Sequence, residues 1–487
     1  MNQGTAANSW IGRPAAEIAA AVRAGEATAA DVVRAHLERI AQIDPALTAF
    51  RRVRAAEAVA EAEAVDARAD RAELPLAGVP IAIKDNVAVA GEQTRNGTTA
   101  SPEEPNAEDH PLVERLRAAG AVVVGLTNVP ELCLVPMADS AFGIARNPWD
   151  PGRTPGGSSG GSAAAVSAAL VPLAHGNDGL GSIRIPCACC GLVGIKPGAG
   201  VVPHAPQEDD WAGLVENGPL ATTVQDAALG LSVMAADPKL AELGDPGTVR
   251  IGVSIRPVSP GFSIAPHYRA AALEAGALFE KLGHTVTRHG TRYPAWLGPA
   301  TLSTWYTSAS ESAEGLDRAQ LDRRTRSMAS VGGVLRRAHI DGARGRELWR
   351  QGGAERFFGD AVDVLLMPAL SQPAPEAKRW GDYGVLRTTN ASTRAASLFG
   401  TWNMAGWPAL ALPVGVDSGG MPVSVQLVAR PGGEKTLLEL AAQAEKAAPW
   451  RRHAPRYAVS DAVSDAASET RSEAVAEPPA DAPESRS

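Results

Sequence analysis

The chain has 487 residues, 45% of them hydrophobic, which is enough apolar material to bury a large core. Its formal net charge is −8, from 46 basic and 54 acidic residues, and this balance argues against nucleic acid or an acidic membrane surface as a partner. No window is long and apolar enough for a transmembrane span, and the N-terminus lacks the basic and apolar regions of a secretory signal. We therefore expect a cytoplasmic protein with no nucleic-acid partner and no membrane partner.

Four cysteines bear on redox chemistry and metal binding. Cys187, Cys189 and Cys190 fall within the stretch Cys-Ala-Cys-Cys, and Cys133 stands apart. Adjacent cysteines rarely pair with each other, and no second CxxC pair or nearby His completes a zinc set. The nine His show no HxH or HExxH spacing. We interpret the cysteines as buried, reduced thiols and expect no metal and no cofactor.

Helical and strand-like segments alternate along most of the chain. The segment 29–40 carries apolar residues at helical spacing, whereas the short apolar run 76–83 predicts a buried strand that ends near Lys84. The predicted helices cover 14–66, 111–119 and 162–170, and the predicted strands cover 76–84, 121–127, 249–255, 362–367, 409–414 and 423–428. This alternation favours an α/β fold whose sheet is covered on both faces by helices.

Two regions differ from this pattern. Residues 290–400 are rich in Arg, Trp and Ser, and their periodicity is too weak to predict elements. From Tyr457 onwards the chain is rich in Ser, Ala, Pro and acidic residues with almost no large apolar residues, and its acids would stack like charges on one helix face. We predict one catalytic domain over 1–456 and a disordered acidic tail over 457–487.

Two Gly/Ser-rich segments carry the strongest indication of chemistry. The first, 153–165, reads Arg-Thr-Pro-Gly-Gly-Ser-Ser-Gly-Gly-Ser-Ala-Ala-Ala, and the second, 176–186, reads Gly-Asn-Asp-Gly-Leu-Gly-Ser-Ile-Arg-Ile-Pro. Glycine-rich loops turn backbone N–H groups towards a ligand, and a serine within them is either a nucleophile or a turn residue. Neither segment is decisive alone. A P-loop is excluded because no Gly-Lys-Ser/Thr follows the required gap.

Combined with Lys84 at the end of its strand, the two segments resemble the amidase signature family. The resemblance extends over residues 14–455, is weakest at 240–400, and includes four further motifs. These are Asn147-Pro-Trp-Asp, Gly194-Ile-Lys-Pro, Gly218-Pro-Leu-Ala and the pair Gly406-Trp-Pro-Ala-Leu with Gly420-Met-Pro-Val-Ser-Val-Gln. The resemblance implies a single domain with a mixed central β-sheet. It also implies hydrolysis of a linear carboxamide to a carboxylic acid and ammonia or an amine, in the general amidase class.

The resemblance assigns a Ser–cis-Ser–Lys triad to this sequence. Ser182 matches the nucleophile, Ser158 matches the bridging serine, and Lys84 matches the base. The peptide bond between Gly157 and Ser158 should be cis. A serine hydroxyl attacks an amide only when a base takes its proton, and Arg cannot serve because it stays protonated. A lysine can serve if desolvation lowers its pKa from about 10.4 toward 7–8.

The residues around the nucleophile have expected supporting roles. An oxyanion would bind the backbone N–H groups of Gly179, Leu180, Gly181 and Ser182. Ser159 would orient the proton relay. Asp178 and Arg184 would pair with each other and support the loop.

One position departs from the family, because Leu180 stands where a glycine is usual. If position 180 needs a positive φ, the leucine is strained; otherwise its side chain narrows the pocket. We also expect the acyl pocket to include Trp305, Trp402 and Trp407, which suggests an apolar or aromatic acyl group. Many enzymes of the family dimerise, so a homodimer is the expected assembly, although the sequence does not determine it.

Three alternatives remain open at this point. Ser159 formally fits the GxSxG elbow of a Ser-His-Asp hydrolase, although no apolar strand precedes it. The chain could be the glutaminase component of a tRNA-dependent amidotransferase, which would require a partner protein. A glycine-rich cradle could also bind an anion without reacting with it.

Overall fold

The computed structural model describes residues 10–205, 211–258, 261–290 and 292–459. The elements of this part, in chain order, are α1 (Ala15–Ala24), α2 (Ala29–Leu47), β1 (Phe50–Val53), α3 (Ala55–Asp66), β2 (Pro80–Lys84), α4 (Pro111–Ala118), β3 (Val122–Thr127), β4 (Asp139–Ser140), β5 (Gly143–Ile144), α5 (Gly160–Ser167), β6 (Leu173–Asp178), α6 (Arg184–Cys190), β7 (Val193–Lys196), β8 (Glu216–Ala221), α7 (Val224–Ala235), β9 (Arg250–Val253), α8 (Pro266–Lys281), β10 (Thr285–Arg288), α9 (Leu297–Ser312), α10 (Arg323–Arg337), α11 (Ala343–Leu348), α12 (Ala354–Phe358), β11 (Val364–Pro368), α13 (Val385–Ala396), α14 (Gly400–Ala405), β12 (Ala409–Val416), β13 (Pro422–Ala429) and α15 (Glu434–Ala447).

Local sequence explains where several of these helices begin. Thr28 precedes α2, and its side-chain oxygen accepts a hydrogen bond from the Asp31 N–H at 3.0 Å. Thr223 caps α7 in the same way through the Asp226 N–H at 3.1 Å. Such caps satisfy N–H groups that the first helical turn leaves without partners. Helix α4 begins at Pro111, because a proline at the first position has no N–H to satisfy.

The central sheet combines parallel and antiparallel strands. Within the described residues it has eleven strands in the order β1–β3–β2–β6–β8–β7–β12–β13–β11–β9–β10. Strands β3, β2 and β6 run parallel to each other, as do β10, β9 and β11, and the remaining neighbours are antiparallel. The inner strands β2, β3, β6, β7 and β8 are buried along their whole length, as in a sheet covered on both faces. The predicted α/β fold with a mixed, helix-covered sheet is confirmed.

The parallel pair β2 and β6 determines where the two predicted segments meet. Strand β2 ends at Lys84, and β6 ends at Asp178. In the pairing register Ile81 lies opposite Leu173. Both strands therefore end at the same edge of the sheet, which is where ligands bind in open α/β sheets.

Helix α6, which follows Ser182, is buried along its whole length. It carries Cys187, Cys189 and Cys190, which are buried free thiols, as predicted, whereas Cys133 is a free thiol that is only partly buried. Burial raises the pKa of Cys189 to about 12 and also raises the pKa values of its two neighbours. No helix in the described ranges is long and apolar enough to cross a membrane.

Aromatic side chains from the region of weak periodicity and from the residues that follow it form an aromatic core. Trp402 is completely buried, and its ring centroid lies 6.3 Å from that of Trp349 and 5.7 Å from that of Phe358. Trp407 packs on Phe358 at 4.8 Å. The expectation that Trp402 and Trp407 line the acyl pocket is therefore wrong, because other aromatic rings surround them. Composition alone does not show which aromatic rings pack against each other.

The predicted tail begins with a residue that belongs to the folded domain. Tyr457 is buried, and its carbonyl oxygen accepts a hydrogen bond from Arg39 Nη2 at 2.6 Å. The Ala454 N–H donates to Ser167 O at 3.0 Å, which ties this segment to the end of α5. The packed chain thus extends through at least Tyr457. The rest of the predicted tail, 460–487, lies outside the described residues.

Replacement of Trp402 by alanine tests the aromatic core. Trp402→Ala should lower the free energy of unfolding by about 3–5 kcal/mol, because neighbouring rings cannot fill the cavity it leaves. Chemical denaturation monitored by circular dichroism measures the loss. The same deletion at Trp296, which is 38% exposed, is the control and should have a smaller effect. Equal losses in the two variants would contradict the assignment of Trp402 to the core.

Candidate active site

The amine of Lys84 lies at the centre of the site. Lys84 ends β2 and is completely buried. Its Nζ lies 2.7 Å from Ser158 Oγ and 3.4 Å from the carbonyl oxygen of Asn177, and it also contacts the side-chain oxygen of Asn177. A buried amine needs such polar neighbours because water does not reach it. The structure therefore joins two of the three predicted triad residues by a direct contact.

The loop that carries Ser158 is bonded to the segment that carries Ser182. The peptide bond between Gly157 and Ser158 is cis, which confirms that expectation. The Ser159 N–H donates to the carbonyl oxygen of Ser182 at 3.2 Å, and Ser159 Oγ donates to the carbonyl oxygen of Asn177 at 3.3 Å. Ser159 thus holds the two predicted segments together, in agreement with a supporting role.

Asp178 and Arg184 form a completely buried ion pair. Arg184 Nε donates to Asp178 Oδ2 at 2.9 Å, and Arg184 Nη2 donates to Asp178 Oδ1 at 2.9 Å. Burial opposes ionisation of this carboxyl, but the guanidinium beside it holds the pKa of Asp178 well below its usual range. The predicted pairing of these two residues is confirmed.

The ion pair also organises the segment before α6. Asp178 accepts the Ile183 N–H at 3.2 Å and the Gly181 N–H at 2.5 Å. This differs from the expectation that Gly181 donates to an oxyanion, because its N–H already bonds a carboxylate. Gly179, Leu180 and Ser182 remain as the expected donors.

Leu180 does not adopt a positive φ, whereas Gly181 has a φ of 118°. The leucine is therefore not strained, and the alternative in which its side chain narrows the pocket applies. Its side chain borders a cavity that also exposes Ser182 and Gly157.

That cavity has about 830 Å³ of space between atoms, including its open mouth. Its walls come from residues 133–136, from α9, α13 and the start of α14, and from Trp211 and Ile185. None of the described residues that line it is charged. Trp305 lies in the wall, as predicted, and its indole N–H donates to Leu134 O at 2.7 Å. The cavity fits an uncharged, largely apolar ligand.

Sequence reasoning missed the amide side chains that complete the site. Asn177 holds the Lys84 amine, and although it lies in the quoted Gly-Asn-Asp segment, an amide alone suggests no chemistry. Asn403 donates to the backbone oxygen of Asp178 at 2.6 Å and accepts from Arg184 Nη2 at 2.6 Å. Gln426 accepts from Arg184 Nη1 at 2.5 Å, which gives it a core role. No group of three or more His, Cys, Asp or Glu in the described ranges could hold a metal ion.

Comparison with known proteins places the chain in a family. The Amidase family model matches residues 31–438. The chain belongs to the amidase family. It is 41% identical over 441 residues to the Mycobacterium tuberculosis (strain ATCC 25618 / H37Rv) protein named "Putative amidase AmiB2", with 88% of this chain and 95% of that protein covered.

Three further matches have informative names. The chain is 32% identical to the 6-aminohexanoate-cyclic-dimer hydrolase of Paenarthrobacter ureafaciens, with 89% of this chain and 94% of that protein covered. A structure of 6-aminohexanoate cyclic dimer hydrolase complexed with substrate superposes with a TM-score of 0.81 at 31% identity, covering 92% of this chain and 99% of that one. A component of the Thermotoga maritima glutamyl-tRNA(Gln) amidotransferase superposes with a TM-score of 0.68 at 27% identity, covering 86% of this chain and 92% of that one.

The amidase family establishes the reaction class of this chain. It is a hydrolase that acts on the carbon–nitrogen bond of a carboxamide. The amidotransferase alternative is not favoured, because the more similar relatives are named as an amidase and a cyclic-dimer hydrolase. The absence of charged side chains among the described residues of the cavity wall agrees with this preference.

Substitution of Asp178 tests whether its ion pair with Arg184 supports the segment that carries Ser182. Asp178→Asn should lower the free energy of unfolding by about 3–5 kcal/mol, because it leaves the buried Arg184 cation without a counter-charge. Denaturant titration measures the loss. Asp363→Asn is a matched control, because Asp363 also pairs with an arginine, Arg250, but the two side chains are 39% and 49% exposed. A loss no larger than that of this surface pair would contradict the buried pair's structural role.

Proposed function

We propose that the chain hydrolyses uncharged carboxamides with an apolar acyl group through an acyl-enzyme on Ser182. Ser158 relays protons between Ser182 and Lys84, which is the base. The observation that carries this proposal is the 2.7 Å contact between the buried Lys84 amine and the Ser158 hydroxyl. This contact lies beside a cavity, and the half-buried Ser182 lines the wall of that cavity.

Acylation of the enzyme moves one proton in each direction. As Ser182 Oγ bonds the substrate carbonyl carbon, its proton passes to Ser158, and the Ser158 proton passes to the neutral Lys84 amine. The carbonyl oxygen becomes an oxyanion, which the N–H groups of Gly179, Leu180 and Ser182 stabilise. The carbon–nitrogen bond then breaks, and the proton returns through Ser158 to the leaving nitrogen. Ammonia or an amine leaves, and an ester to Ser182 remains.

Deacylation uses the same relay with water as the nucleophile. Water loses a proton towards Lys84 through Ser158 as its oxygen bonds the acyl carbon. The ester bond breaks, Ser182 regains its proton, and the carboxylic acid leaves. Arg184 could not replace Lys84 in this role, because a guanidinium stays protonated and this one is bonded to Asp178.

The cavity wall supports the substrate class. Binding free glutamine would bury an ammonium and a carboxylate, and the described wall offers neither of them a charged partner. Trp305 and Trp211 offer apolar ring surface instead. We propose the general class of linear amidases. The 6-aminohexanoate cyclic dimer in the name of one relative is also an uncharged amide.

Two further properties complete the proposal. The free thiols in α6 support a cytoplasmic location, where thiols stay reduced. A homodimer is the assembly that the family resemblance suggests, and light scattering of the purified protein tests it. The catalytic domain is one unit that extends through at least Tyr457.

Alanine and methionine substitutions test the triad. Ser182→Ala, Ser158→Ala and Lys84→Met should each lower kcat by about 10²–10⁴-fold or more, because each interrupts the proton path or removes the nucleophile. Labelling with a fluorophosphonate, read by intact mass, should fail in Ser182→Ala. Ser159→Ala is the control, since a Ser-His-Asp mechanism would make it the nucleophile. Labelling that persists in Ser182→Ala, or full activity in Lys84→Met, would contradict the proposed mechanism.

A panel of amides tests the substrate class. Phenylacetamide should exceed acetamide in kcat/KM by about tenfold or more, because its ring buries apolar surface in the cavity. Glutamine should be the poorest substrate, since its charges would lose water without gaining partners. Released ammonia measures all three rates. Glutamine turnover that matches phenylacetamide would reject an apolar acyl group and revive the amidotransferase alternative.

A further inference from the structure

Leu180 carries a large side chain between two glycines, Gly179 and Gly181. A Cβ at Gly179 would lie 3.1 Å from the Trp211 ring. A Cβ at Gly181 would lie 2.6 Å from Phe399 Cβ and 2.8 Å from Ile185 Cδ1. Packing and a positive φ therefore demand glycine at 181, and the Trp211 ring leaves little room for a side chain at 179. Leu180 itself is only partly buried, and its side chain faces the cavity.

Gly400 lies against this leucine on another wall of the cavity. A Cβ at Gly400 would lie 3.1 Å from Leu180 Cδ2 and 3.2 Å from Thr301 Cγ2. Carbon atoms in good contact stand about 3.5–4.0 Å apart. The missing side chain at Gly400 is therefore what leaves room for the Leu180 side chain in its present position. Both residues border the same cavity as Ser182.

We propose that Leu180, seated against Gly400, is a specificity-determining residue that excludes acyl groups branched at the carbon next to the scissile carbonyl. This inference rests on the proposed function, in which Ser182 is the nucleophile. Leu180 precedes Ser182 by two positions, and its N–H faces the oxyanion in that mechanism. The substrate carbonyl is then held next to the Leu180 side chain. Methyl branches on the carbon next to the carbonyl would collide with the Leu180 side chain, whereas a straight acyl chain extends into the cavity.

The two positions should respond to substitution in opposite directions. The readout is the ratio of kcat/KM for 2,2-dimethylbutanamide to kcat/KM for butanamide, measured by ammonia release. Leu180→Ala removes the obstructing methyl groups and should raise this ratio by about tenfold or more. Gly400→Ala pushes Leu180 further into the cavity and should lower the ratio. Because the readout is a ratio, a general loss of activity in either variant does not change it.

A double variant and a control make the test specific. In Leu180→Ala/Gly400→Ala the new methyl group no longer meets Leu180 Cδ2, so the ratio should return to at least the wild-type value. Leu302→Ala deletes the same atoms from a different part of the cavity wall and should leave the ratio unchanged. If Leu302→Ala raises the ratio as much as Leu180→Ala does, the total volume of the cavity determines the preference for the straight chain. That result would overturn the proposal.

The remaining outcomes separate this inference from the proposed function. If the wild type hydrolyses butanamide but Leu180→Ala leaves the ratio unchanged, Leu180 does not determine specificity and only this inference fails. If the wild type hydrolyses neither amide and a fluorophosphonate does not label Ser182, the proposed function and this inference fail together.

Discussion

The burial of one amine is the constraint on which the site depends. Lys84 lies at the end of an inner strand where water does not reach it, so its nitrogen must be satisfied by protein groups alone. Ser158, in the loop before α5, and Asn177, near the end of β6, satisfy it. The parallel pairing of β2 with β6 is what brings these segments to the amine. The strand pairing that buries the Lys84 amine therefore also brings it into contact with the Ser158 hydroxyl.

A second buried charge fixes the segment that carries Ser182 from the other side. Arg184 bonds Asp178, Asn403 and Gln426, and its guanidinium lies over the ring of Phe399, 5.4 Å from the centroid. These contacts join β6 and α6 to α14 and β13, which are distant in the chain. The segment between Asp178 and Arg184 is thus held at both ends. Fixed N–H directions are what the electrostatic stabilisation of an oxyanion requires in the proposed mechanism.

Features that depend on contacts between residues close in the chain were predictable from the sequence, whereas features that depend on contacts between distant residues were not. The strand that ends at Lys84 and the two Gly/Ser segments were predictable, because apolar runs and glycine-rich turns are local patterns. The pairing of Asp178 with Arg184 was also predictable, since the two are close in the chain. Asn403 was not predictable, because its contacts with that pair span more than two hundred residues. Trp402 and Trp407 were misplaced for the same reason.

The thiols of α6 have a consequence for covalent chemistry at this site. Burial raises the pKa of Cys189 to about 12, so its thiol stays protonated at neutral pH, and thiolates are the form that attacks electrophiles. Its two neighbours are protonated for the same reason. The helix that follows Ser182 is therefore rich in sulfur yet nearly inert towards alkylating reagents. An electrophilic inhibitor that enters the cavity would meet Ser182 and Cys133 in its wall, rather than these three thiols.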